Sequence, residues 1–336
     1  MKKLTALILV LTVLLGLTGC PAKDAPAGTE ATTIAPDTTI PTADSEPTDA
    51  TEPEEEPSSP ILYKVTDDQG RILYLFGAIH IGTEEMYPLP SYVQDAYDQS
   101  DILAVECEGA DTPQEMEQEK QCALLGDGVT IQDLLSPETY RAAKKILEET
   151  GVYQPEFEDC KPIVWQSIID GLAVQKSGAD SALGVDLQMM EKARGDGKPI
   201  EEIEPVAEHY RYMGDLSMEL QCLLLEDTVA SYRNPMAIRA NTYLCRLWAQ
   251  GNESFLRTIL SVNLDQIPDE RERALYQEYQ DVIQTQRDAN MTQYAMEAMA
   301  SGQTVFICVG LAHIIGEGAM VDRLTQAGYT LERVEG

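Results

Sequence analysis

The chain opens on an apolar run, Leu4 to Leu17, behind Lys2 and Lys3, and then changes character twice. From Pro21 to about Pro60 it is Thr, Pro, Ala, Ser, Asp and Glu with almost no large apolar residue. Such a stretch cannot bury enough surface to offset its ordering entropy, so residues 21–60 are expected to be a disordered linker. Periodic patterning begins at Ile61. Ile61 to Val65 and Ile72 to Gly77 flank the turn Asp67-Asp68-Gln69-Gly70, which predicts a β-hairpin whose second strand runs on into Ala78-Ile79-His80-Ile81-Gly82. A short helix is expected near Ser91 to Gln99, and Ile102 to Glu106 has the composition of a buried strand ending in acid. Helical spacing dominates Pro113 to about Arg194, with breaks at Gly126-Asp127-Gly128, Ser136-Pro137, Gly151 and Lys161-Pro162. Lys198 to Ile203 suits another short strand. Pro205 to Ser301 is helical again, broken near Asn234-Pro235, Gly251-Asn252 and Pro268. The end returns to strand, helix and strand at Thr304 to Val309, Ile314 to Ala327 and Tyr329 to Val334. The pattern predicts one mixed α/β domain over 61–336, its central sheet formed by N- and C-terminal strands around a large helical insert.

The first segment ends in Leu17-Thr18-Gly19-Cys20. A basic start, a short apolar run and a small residue before cysteine have the form of a bacterial lipoprotein signal, residues 1–20. Cleavage would leave Cys20 as an acylated N-terminus, placing the chain at the extracytoplasmic face of the cell membrane with two or three acyl chains as a durable anchor. The whole chain carries 24 Lys and Arg against 57 Asp and Glu, a net charge of -33. The linker accounts for -9 of this and the signal for +2, leaving -26 on residues 61–336. A nucleic-acid binder is excluded, because this surface repels phosphate and has no basic stripe. Beyond Cys20 there are Cys107, Cys122, Cys160, Cys222, Cys245 and Cys308, without a C-x-x-C. They allow three disulfides in fifteen connectivities, or buried free thiols such as Cys308 inside Val305-Phe306-Ile307-Cys308-Val309.

Two of the three histidines share a frame, Gly77-Ala78-Ile79-His80 and Gly310-Leu311-Ala312-His313, each behind an apolar strand. A glycine turn at a strand end sets an imidazole at the sheet edge, where open α/β sheets build their sites. Two imidazoles and a carboxylate with one open position form the ligand set of a hydrolytic metal centre. Glu106, ending the third predicted strand, is the natural third ligand. Strand alternation would turn Glu108 the same way, so one acid can be the ligand and the other the base; Glu106 is preferred as the ligand. His209, in Glu208-His209-Tyr210-Arg211, has the setting of a helix-face residue and is left out.

These residues also carry a family resemblance. Leu75-Phe76-Gly77-Ala78-Ile79-His80-Ile81-Gly82, Tyr87-Pro88-Leu89-Pro90 and Asp101 to Glu106 resemble the opening of the TraB/GumN family, whose relatives include the Tiki membrane proteases. Gly184-Val185-Asp186, Lys198-Pro199-Ile200 and Glu204 are similar to its central stretch. Gln286-Arg287-Asp288 with Met291, and Val309 to Gly316, resemble its closing motifs. The family usually has Thr at Ala78, Asn at Asp288 and Gly at Ala312. The resemblance implies a metal-dependent hydrolase in which both Gly-x-x-His motifs, an acid after the third strand and an arginine near the last helix form the site.

The expectation is therefore a lipid-tethered metallopeptidase acting on peptides or protein N-termini. A divalent ion, zinc, manganese or cobalt, would be held by His80, Glu106 and His313, with Glu108 as general base and Arg287 stabilising the tetrahedral oxygen. Asp186 and Glu204 would support the ligands. One alternative is a non-catalytic protein that sequesters a peptide, as some TraB-like proteins do in silencing pheromone signals. Another is a haem or iron lipoprotein, since a distant lipoprotein relative binds haem and 15 tyrosines with two histidines can supply axial ligands.

Overall fold

A computed structural model of the chain describes residues 58–126 and 128–336. The expected signal over 1–20, the acylation site Cys20 and nearly all of the expected linker lie outside the described residues. Among the described residues no helix is long and apolar enough to cross a membrane.

Six strands form one sheet: β1 (Leu62–Thr66), β2 (Ile72–Ala78), β3 (Ile102–Val105), β4 (Ile200–Glu202), β5 (Val305–Gly310) and β6 (Thr330–Val334), in the order β4-β3-β5-β2-β1-β6. The predicted hairpin forms, with Leu62 opposite Phe76 and Thr66 opposite Ile72. Its turn is closed by Asp67, whose Oδ1 accepts the N–H groups of Gln69 at 3.0 Å and Arg71 at 2.8 Å. Gly70 supplies the left-handed backbone the turn needs, at φ 78°. β1 pairs antiparallel with β2 and β6, whereas β2, β5, β3 and β4 run parallel. The parallel strands β2, β3 and β5 are buried along almost their whole length, as strands covered on both faces must be. β6, at one edge, is half-exposed.

The insert is helical and has two cores of its own, one around Trp165, Ile131 and Leu225 and one around Leu220, Tyr276 and Ile283. Several breaks expected along it are helix starts. Ser136 and Asn234 cap the helices Pro137–Glu149 and Pro235–Gln250 by accepting first-turn N–H groups, and Pro at the first helical position gives up no bond. The last expected helix is two helices instead, because Gly316-Glu317-Gly318 interrupts it and Gly318 turns at φ 68°. All six described cysteines are free thiols, with Cys245 and Cys308 buried.

Four helices matter for the site. They are α1 (Val185–Asp196), α2 (Val206–Gly214), α3 (Arg287–Ser301) and α4 (Leu311–Ile315). A π-helical segment, Gln280–Gln286, leads directly into α3.

Candidate metal centre

The four parallel strands all end at one edge of the sheet, and each end delivers a polar group there. His80 lies two residues beyond β2, Glu106 directly follows β3, and Glu204 follows β4. β5 ends in Gly310, from which α4 starts and carries His313. Helices supply the rest: Asp186 from the first turn of α1, His209 from α2, and Arg287 with Asp288 from the start of α3. Backbone bonds hold these ends in register. Glu204 N–H donates to the Glu106 carbonyl at 2.9 Å, and Val185 N–H to the Ile79 carbonyl at 2.8 Å. Gly184 must be glycine for this approach, since a Cβ there would lie 2.9 Å from the carbonyl carbon and oxygen of His80.

Glu106 is at the centre. Its Oε1 accepts the Gly310 N–H at 2.6 Å, and its Oε2 accepts from Arg287 Nη2 at 2.6 Å. Arg287 also donates through Nε to Glu204 Oε1 at 2.8 Å and through Nη2 to Glu204 Oε2 at 2.9 Å. Its Nη1 lies 3.1 Å from His313 Nε2, while His313 Nδ1 lies 2.6 Å from Asp288 Oδ1. Glu204 Oε2 is 2.9 Å from His209 Nδ1. His80 is oriented through Nδ1 by Asp186 Oδ2 at 2.9 Å, and its Nε2 stands 3.9 Å from Glu106 Oε1. That Nε2 is buried without a hydrogen-bond partner.

Burial and charge pull the titrations of these groups in opposite directions. For His80, burial disfavours the cation, yet Asp186 on Nδ1 and Glu106 beyond it outweigh burial and raise the pKa from 6.5 to about 9. Burial likewise pushes Glu106 upward, but Arg287, His313 and His80 hold it well below the usual carboxylate range. Glu204 is lowered in the same way, His209 and Arg287 outweighing its burial. Arg287 is driven further above its ordinary value because Glu106 and Glu204 more than offset the cost of burying its charge.

Of the five residues expected to carry chemistry, the structure gathers His80, Glu106, His313 and Arg287. Glu108 is elsewhere. β3 ends at Val105, so the alternation that would align Glu108 with Glu106 stops, and Gly109 turns the backbone at φ 91°. Glu108 instead pairs with Arg194 at 2.7 Å on the exposed surface, away from the groups gathered around Glu106. His313 is buried with both ring nitrogens engaged, by Asp288 and Arg287.

The set that converges most closely is Glu106, Glu204 and His209, whose ligand atoms all lie within 4.8 Å of one another. It can hold a metal ion, and it shares only Glu106 with the expected triad. His209, set between Glu208 and Tyr210-Arg211, has in the sequence only the setting of a helix-face residue. The signal that marks it is its distance from Glu204: Pro205 caps α2 directly after the acid, so residue 209 falls one turn in and back over the strand end.

A model of the TraB/PrgY/gumN family matches residues 61–333, nearly the whole described structure. The chain belongs to the TraB/PrgY/gumN family. Among individual proteins it is similar to the uncharacterized protein YbaP of Escherichia coli strain K12, with 26% identity over 264 residues, covering 77% of this chain and 90% of YbaP. YbaP of Shigella flexneri matches to the same extent, at 26% identity over 264 residues. No solved structure matches. Within this family member the matched segment contains every group of the centre, from His80 to His313.

Proposed function

We propose that this TraB/PrgY/gumN family member is a metal-dependent hydrolase, a peptidase acting on peptides or protein N-termini, tethered outside the cell membrane by acyl chains on Cys20. The observation that carries the chemistry is the convergence of Glu106, Glu204 and His209 beside the unpartnered Nε2 of His80. Two carboxylates and an imidazole fit a divalent ion such as zinc, manganese or cobalt. Held by Glu106, Glu204 and His209, such an ion would supply Lewis acidity toward a water and a carbonyl oxygen.

The chain's own groups set the remaining conditions. The Gly310 amide fixes Glu106 Oε1, and His209 fixes Glu204 Oε2, so both carboxylates are oriented before any substrate arrives. His80 is held through Nδ1 by Asp186 and turns Nε2 toward Glu106, which suits it to protonate a leaving amine. It takes the proton-handling role expected of Glu108. The net charge of -26 over residues 61–336 favours neutral or basic peptides. The lipobox-like Leu17-Thr18-Gly19-Cys20 supports the tether.

The test is elemental analysis of the full chain, purified in detergent without chelator and assayed on a quenched-peptide library with and without manganese, cobalt and zinc. About one equivalent of metal is expected, with cleavage lost on chelation. Glu204→Gln and His209→Ala should lose the metal, whereas His80→Ala should keep it and lose cleavage. Metal without cleavage of any peptide would favour sequestration. Loss of metal in His80→Ala and His313→Ala but not in His209→Ala would move the site to the His80, Glu106 and His313 set.

A further inference from the structure

The ligand atoms of this centre already have a cation among them. The Arg287 guanidinium contacts Glu106 Oε2, both oxygens of Glu204, and His313 Nε2, at 2.6 to 3.1 Å. It is thus held by two carboxylates and an imidazole, the same kinds of donor that would surround a divalent ion. Lone pairs directed at N–H groups are withdrawn from a metal. In a buried site, where charge is weakly screened, two cations a few ångströms apart also repel strongly. The arrangement neutralises Glu106 and Glu204 when no metal is bound, which removes the cost of leaving buried carboxylates unpaired.

We infer that Arg287 is a resident counter-cation that a divalent ion must displace, so that metal uptake and the inward position of this side chain exclude one another. The inference rests on the metal-site reading proposed above.

Two features bear on how the arginine is held and released. Its guanidinium carbon lies 5.5 Å from the centroid of the Tyr212 ring, and Tyr212 is steadied by Asn290, which donates to its hydroxyl at 3.1 Å. Arg287 is also the first residue after the π-helical segment Gln280–Gln286. π turns are rare, gather at functional sites and hold one residue more than the α register needs. Shifting the π turn onward past Arg287 and Asp288 would turn those two residues by about 100° around the helix axis while leaving buried Met291 and Ala295 of α3 in register. Such a turn withdraws Arg287 from Glu106 and Glu204. It also carries Asp288 away from His313 and opens both nitrogens of that ring. The freed guanidinium is then available to a developing oxyanion.

The experiment is a cobalt titration of the metal-stripped full chain in detergent, followed by the visible absorption of the bound ion, for wild type, Arg287→Gln, Arg287→Lys and Tyr212→Leu. Removing the competing charge should tighten cobalt binding by about tenfold or more in Arg287→Gln. Arg287→Lys keeps the charge and should stay near wild type. Tyr212→Leu loosens the arginine while leaving the ligands in place, so it should tighten binding by a smaller factor and remains informative if Arg287→Gln does not fold. Wild-type cobalt binding with no tightening in Arg287→Gln or Tyr212→Leu overturns the inference and leaves the metal site standing. No cobalt binding in any of the four chains overturns the metal site, and the inference with it.

Discussion

At the scale of single residues, His80 is where opposing forces are best balanced. Burial lowers its pKa and Asp186 raises it, to about 9 against an ordinary 6.5. A pKa raised on folding contributes stability that is fully present below 6.5 and is lost as pH rises through about 9. In metal-stripped protein, chemical denaturation should therefore show on the order of 2 kcal/mol less stability from this pair at pH 10 than at pH 6. Asp186→Asn should flatten that difference, and the His80 ring resonances in NMR should titrate below 6.5 in the variant. An unchanged midpoint would mean that Asp186 does not hold the proton on Nδ1. Glu108 makes the complementary prediction. Its bridge to Arg194 is partly exposed, so Glu108→Gln should cost at most about 1 kcal/mol and leave metal content and cleavage unchanged. A large loss of cleavage would return Glu108 to the site.

At the scale of elements, the site depends on strand ends and helix starts meeting at van der Waals distance. The entry to α1 crosses the backbone of His80 at Gly184, where a Cβ would come within 2.9 Å of the His80 carbonyl. Gly184→Ala should destabilise by roughly 1–3 kcal/mol, as forced overpacking does, and should also reduce metal-dependent cleavage by tilting His80. Urea denaturation and the cleavage assay together check it; a loss of stability with full activity would show that the crossing is only structural. The strands and most helix starts were legible because alternation, glycine turns and Ser-Pro or Asn-Pro steps are local signals. Glu204 and His209 were harder. The family resemblance marks Glu204 only as a support for the ligands, and its approach to Glu106 and His209 appears only when β4 ends beside β3.

At the scale of the whole molecule, the ends of the domain and its insert are fastened by one arginine. Arg333, in the edge strand β6, donates at 3.0 Å to the carbonyls of Ser59 and Gly251 and lies 3.5 Å from Glu253. Arg333→Ala should free the segment before β1 and cost about 1–3 kcal/mol, since it removes charge-assisted bonds to two carbonyls. Hydrogen exchange should then rise at Ser59, whose N–H donates to Ala249 at 2.6 Å; protection equal to wild type would mean that this bond holds the segment unaided. The acidic surface acts at the same scale. Divalent ions and basic peptides should associate faster at low salt than at high salt, because a field of this sign concentrates cations and is screened within about 10 Å at 0.1 M.

Local chemistry in the sequence determined the strand segments and the helical character of the insert, and it singled out His80, Glu106, His313 and Arg287, which the fold brings together. It could do so because period, glycine turns and rare residue types are readable in a short window. The tertiary structure alone decided the rest. It placed β5 between β2 and β3, a pairing of segments some 200 to 230 residues apart, and so brought four strand ends to one edge. That juxtaposition brought Glu204 and His209, and not Glu108, beside Glu106, and it set Arg287 between the carboxylates. Side-chain direction past a strand end depends on where the chain turns next, and at Gly109 and Pro205 that turn is fixed by contacts far away in sequence.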